Sequence, residues 1–182
     1  MTSNLRIQPD KNDHILGPLH APVVVVEYGD YECPYSAAAA PAIDQIIQEL
    51  KPHICFVYRH FPMRTIHPMS YYAAQAAEAA DRQGLFWKMH RALYSRSENL
   101  SEDIIHQIAE DIGLNMNLFH QDIKREDIKE KIDFSILTGV QSEVSSTPSI
   151  FINDLQYEGS SSYYPLRETI ESYLAGGNSA YL

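Results

Sequence analysis

Residues 22–29 read Pro-Val-Val-Val-Val-Glu-Tyr-Gly. Four consecutive valines show no polar alternation, so the strand they form must be covered on both faces, as in the middle of a parallel sheet. A helix pattern follows directly, with Ile43, Ile46, Ile47 and Leu50 at i, i+3, i+4 and i+7. Pro41 lies inside it and predicts a kink. Residues 53–62, His-Ile-Cys-Phe-Val-Tyr-Arg-His-Phe-Pro, return to strand character. Strand, helix and strand within about 40 residues make a right-handed βαβ unit.

Downstream, helical patterns accumulate. An alanine-rich helix over 70–83 stops at Gly84, a second covers 85–95, and a third is capped by Ser101 with Ile104, Ile105, Ile108 and Ile112 on one face. A fourth, with a mixed-charge exposed side, covers about 125–144. Strand character resumes at Thr147–Gly159, where Asn153-Asp154 predicts a tight turn between antiparallel strands. An amphipathic helix carrying Leu166, Ile170 and Leu174 closes the pattern. The expected architecture is α/β, βαβ followed by ββα, with a helical insert over about 66–144. At 182 residues one domain is expected over 16–182, preceded by a polar arm at 1–15.

A net charge of −10 argues against a nucleic-acid partner, which needs a basic face, and no basic run marks a membrane-binding patch. Neither a spanning apolar run nor the h-region of a secretory leader is seen, so a cytoplasmic protein is expected, or a periplasmic one if a leader has been removed. Eight histidines show no paired metal-ligand spacing, so no metal is expected. His60 and His67 read as loop histidines near the strand edge. Tyr28, Tyr31, Tyr35 and Tyr58 gather at the same edge, where they could line a groove or simply fill a strand end.

The chemistry concentrates at Cys33. Pro34 suits the first position of a helix, which makes Cys33 its N-cap. A sulfur there is expected to face the free N–H groups of Tyr35 and Ser36 and the positive end of the helix dipole, both of which favour the reactive thiolate. Ser36 at the third helical position is placed to reach back toward the sulfur, as in a capping box. It cannot close a disulfide. Cys55 lies roughly 16 Å down the second strand, beyond the Cα separation of about 7 Å that a disulfide tolerates. It reads as an inert core residue.

The junction Gly-Asp-Tyr-Glu-Cys-Pro-Tyr-Ser (29–36), the stretch 67–94 and Ser-Thr-Pro-Ser-Ile-Phe-Ile-Asn-Asp (146–154) together resemble the DsbA-like branch of thioredoxin-fold proteins. The resemblance covers about residues 15–175. It implies that Cys33 is the attacking cysteine, that Pro34 and Tyr35 tune it, and that Thr147-Pro148 forms a cis-proline loop where the Thr147 backbone pairs with an extended substrate. Glu27 matches the buried acid of that family, and a carboxyl in an apolar strand should have a raised pKa and exchange protons with the sulfur.

Two residues depart from the family pattern: Ser36 replaces the second cysteine and Ser146 the glycine before Thr-Pro. The expected activity is therefore monothiol thiol–disulfide exchange on a disulfide-containing or glutathionylated protein or small thiol. No cofactor is bound in this reading; glutathione serves as co-substrate and resolves the mixed disulfide. Two alternatives stay open: a kappa-type glutathione transferase or isomerase, a family that reads Ser-Pro-Tyr-Ser here, and a non-catalytic binding module. Were Ser36 a substituted cysteine, a dithiol oxidoreductase would replace the monothiol reading. The sequence does not indicate an oligomeric state.

Overall fold

The computed structural model describes residues 4–176. A five-stranded sheet is formed by β1 (His14–Leu16), β2 (Val23–Gly29), β3 (Ile54–His60), β4 (Ser149–Ile152) and β5 (Leu155–Tyr157), in the order β1-β3-β2-β4-β5. The valine run is central, as its lack of alternation requires. β2 pairs parallel with β3 and antiparallel with β4, so both its edges and both its faces are covered. The crossover between β2 and β3 is α1 (Pro34–Leu50), which runs unbroken through Pro41.

Between β3 and β4 lie α2 (Ser70–Asp81), α3 (Phe86–Ser95), α4 (Glu102–Asp111), α5 (Met116–Asp122) and α6 (Glu126–Gln141). α7 (Tyr163–Leu174) follows β5. The short α5 is absent from the sequence reading; its N-cap, Asn115, accepts a hydrogen bond from the Leu118 N–H at 3.2 Å. Ser101 caps α4 as expected, accepting from the Ile104 N–H. Asn153 and Asp154 both take positive φ (44° and 77°), which fits the two-residue hairpin between β4 and β5.

The predicted arm is not free of the domain. β1 pairs antiparallel with β3, Leu5 is buried, and its N–H donates to the Asp154 carbonyl at 2.8 Å. Leu5, Ile7, Ile15 and Leu16 are the only aliphatics over residues 4–16, too few to show a period, yet β1 still covers the outer edge of β3. Side chains alternate along each strand. Val23, Val25, Ile54, Phe56, Tyr58, Ile150 and Ile152 join α1, α3 and α7 in one core. Val26, Tyr28, Cys55, Val57 and Phe151 form a second, smaller core on the opposite face. There α6 approaches closely enough that a Cβ on Gly139 would lie 2.6 Å from the Phe61 ring.

Candidate active site

Cys33 is the N-cap of α1, and its carbonyl starts the helix by accepting from the Ala37 N–H at 3.0 Å. The sulfur differs from expectation. It makes no hydrogen bond to the helix amides; instead the thiol donates to the Thr147 carbonyl at 3.1 Å. A thiol is a poor acceptor and a fair donor, so in its protonated form it turns from N–H groups toward a carbonyl. That carbonyl belongs to the cis Thr147–Pro148 peptide itself. The sulfur is largely covered, with Cys33 4% exposed, whereas Tyr35 beside it is 73% exposed.

Ser36 does not cap the sulfur either. Among the described residues its buried Oγ has no hydrogen-bond partner, because the side chain turns into the protein instead of back along the helix. Ser146 is exposed and its carbonyl accepts from Ser149 Oγ at 2.8 Å, which closes the turn into β4. Beside the first turns of α1 a cleft of about 340 Å³ is lined by Pro34, Ala37, Ala38, Arg96 and Glu98.

Glu27 projects from the middle of β2 onto the face that carries α1. It is 1% exposed, and its Oε1 has no partner among the described residues. Burial, with a smaller push from the Asp44 carboxylate, raises its pKa to about 8. Cys55 sits opposite Val24, at the far end of the paired strands and in the smaller core, and burial pushes its thiol up to about 11. The two cysteines are not bonded to each other.

A family model described as thioredoxin matches residues 9–172. The chain belongs to the thioredoxin family. Among solved structures, this thioredoxin-family chain is 27% identical to a thioredoxin-like oxidoreductase from Silicibacter pomeroyi, with a TM-score of 0.79 over 92% of this chain and 95% of that one. It is 25% identical to the thiol-disulfide exchange protein alpha-DsbA2 from Wolbachia pipientis, with a TM-score of 0.80 over 90% and 88%. Oxidised BdbD from Bacillus subtilis shares the fold, with 24% identity and a TM-score of 0.81 over 96% and 100%. The DsbA-like resemblance and the thioredoxin-like fold with its helical insert are therefore right, and the fold is that of thiol–disulfide oxidoreductases.

Among curated proteins, the chain is 36% identical over 170 residues to a Na(+)/H(+) antiporter NhaA 1 from Salinispora arenicola, 93% of this chain and 26% of that protein. It thus spans about a quarter of the length of the curated relatives it matches. No helix among the described residues is long and apolar enough to cross a membrane.

Several residues around the thioredoxin-family site escaped the sequence reading. Asp30, buried, accepts at Oδ1 from the Glu32 N–H (2.8 Å) and at Oδ2 from the Met63 N–H (2.8 Å), with the His67 ring also 2.8 Å from Oδ2. The contact to Glu32 is the local turn an aspartate makes two residues ahead of itself, and it was the available signal. His67 is therefore tied to the loop that presents Cys33. Tyr28, Tyr31 and Tyr58 are all fully buried, on opposite sheet faces, and fill the strand ends; Tyr58 also borders the cleft that holds His14, His60 and Glu78, and Tyr35 alone of the four is exposed.

His60 is likewise no loop histidine. It ends β3, is buried, and places Nε2 2.9 Å from Glu78 Oε1 on α2. His14 Nε2 reaches the same oxygen at 2.6 Å, and Lys131 Nζ lies 2.7 Å from Glu78 Oε2. Burial pushes the Glu78 carboxyl up, but hydrogen bonds to His14 and His60 outweigh it and hold it well below the usual carboxylate range. Burial lowers His60 despite Glu78. The expectation of no metal rested on local spacing, which does not register a cluster of possible donors drawn from three separate elements.

Proposed function

We propose that the protein catalyses monothiol thiol–disulfide exchange. The observation that carries this reading is a single thiol at the N-terminus of α1, in contact with the carbonyl that precedes Pro148, with no second cysteine in reach. The Cys33 thiolate attacks one sulfur of a substrate disulfide; the new bond joins Cys33 to that sulfur, and the other leaves as a thiolate. With a pKa of about 8, Glu27 is mostly protonated near pH 7: its carboxylate fraction takes the proton that Cys33 gives up, and the carboxylic acid so formed returns a proton to the leaving sulfur. An external thiol, with glutathione as the natural candidate, then attacks the mixed disulfide and frees Cys33. The substrate is a disulfide-containing or glutathionylated protein, its extended segment pairing with the Thr147 backbone and crossing the exposed Tyr35.

The test is alkylation of Cys33 against pH, read by mass spectrometry with the buried Cys55 as internal reference, followed by exposure to glutathione disulfide. Faster labelling of Cys33 than Cys55 at every pH and a glutathione adduct confined to Cys33 support the proposal. Ser36→Cys should then prevent that adduct from accumulating, because the new thiol displaces glutathione. Glutathione binding without any adduct would replace the proposal with glutathione activation, and an unreactive Cys33 would leave a binding module.

A further inference from the structure

We propose that His14, His60 and Glu78 form a binding site for a divalent transition-metal ion of the zinc class. The three residues come from β1, β3 and α2, and one donor atom of each lies within 4.8 Å of the other two. Two imidazoles and one carboxylate are a ligand set that zinc accepts while keeping a coordination position for water or a further ligand. Both Nε2 atoms converge on a single oxygen, Glu78 Oε1, at 2.6 and 2.9 Å. Random burial of polar groups rarely leaves two rings aimed at one point.

The surroundings fit a metal as well. The His14 ring lies flat on Phe86, with centroids 3.4 Å apart and planes 6° from parallel, so its orientation is fixed. Its other nitrogen, Nδ1, is 3.7 Å from Asp81 Oδ1, beyond hydrogen-bond range but close enough for the carboxylate to favour a cation beside the ring. All three residues line a cleft of about 170 Å³ that also touches Arg59, Lys131 and Phe134, which gives an ion a path to the site. Lys131 is the opposing group. Its ammonium is 2.7 Å from Glu78 Oε2 and 3.2 Å from His14 Nε2, so an incoming ion must displace it. At 38% exposed, Lys131 has room to swing outward. Binding would fasten the insert, through α2, to the β1–β3 edge of the sheet.

The experiment uses the whole chain with Cys33 alkylated, so that no thiolate competes. Zinc chloride is titrated by calorimetry, and cobalt(II) chloride by visible absorption, which reports nitrogen and oxygen ligands directly. One zinc per chain and cobalt bands without sulfur character are expected. His60→Gln should weaken zinc binding at least about 100-fold, and Lys131→Met should tighten it about tenfold by removing the competing charge. If His60→Gln does not fold, Lys131→Met still decides the matter, because Lys131 sits at the cleft's rim. No zinc uptake by the unsubstituted chain, undiminished binding in folded His60→Gln, or no tightening in Lys131→Met would each overturn the site and leave a buried ion-pair network.

Discussion

Glu27 and Glu78 are almost equally inaccessible, at 1% and 2% exposed, and burial pushes both carboxyls up, yet they end in opposite charge states. Glu27, with Oε1 unpartnered in an apolar strand, is driven toward the neutral form. Glu78 accepts from two imidazoles and a lysine and is held as the anion. Depth alone therefore predicts neither charge nor role. What decides is whether the fold supplies donors that replace the lost water. The first carboxyl is free to move a proton; the second is committed to holding charges in place.

The sharpest break between them is in stability. Glu78→Leu strands Lys131 and two imidazoles around an apolar side chain and should cost about 4 kcal/mol, a large share of a typical domain's stability. Urea denaturation at pH 7 measures it, and a cost below about 1 kcal/mol would show that Glu78 is not holding that cluster. Glu27→Leu should do the reverse. The unfolded chain releases this proton near the ordinary value of 4.5, and the folded protein keeps it to about pH 8. The folded state thus binds the extra proton between those limits, so stability is full below about 4.5 and falls as pH rises through 8. Removing the carboxyl should flatten that slope and stabilise the protein by several kcal/mol at pH 9. Unfolding midpoints of both proteins that fall in parallel from pH 5 to 9 would contradict the raised pKa.

The same contrast extends to rate. Glu27→Gln keeps the shape and the polarity but cannot carry a proton, so exchange through Cys33 at pH 7 should slow about 100-fold. Lys131→Met, which touches only the second carboxyl, should leave that rate within a factor of two. Single-turnover formation of the mixed disulfide measures both, and equal slowing in the two variants would mean that the carboxylates are not separate in function.

How much of this was legible in advance follows from range. The valine run, the Ser101 cap, the Asn153-Asp154 turn and the N-cap position of Cys33 are local, and each was read from a few neighbouring residues. Glu27 was readable because a carboxyl directly after four valines, in a strand covered on both faces, has nowhere else to go. The Glu78 cluster was not: its members lie at 14, 60, 78 and 131, and Glu78 sits in an alanine-rich helix where it looks like a solvent-facing residue. β1 was missed for a related reason, since three residues of an edge strand carry no period. The direction of the Cys33 sulfur was misjudged because its partner, the Thr147 carbonyl, is 114 residues away and competes with the helix amides only once the sheet has formed.

The smallest expected effect belongs to Ser36, whose Oγ, like Glu27 Oε1, is buried without a partner among the described residues. A hydroxyl in that position contributes no hydrogen bond to the folded state while losing those it made to water. Ser36→Ala should therefore change stability by less than about 1 kcal/mol, with the sign toward gain. If the hydroxyl also plays no part once Cys33 ionises, the exchange rate should be unchanged. A tenfold drop in rate with unaltered stability would instead mean that Ser36 donates to the thiolate only after the thiol releases the Thr147 carbonyl. The unpaired serine would then resemble Glu27, a polar group left without a partner in the resting protein because its partner appears during the reaction.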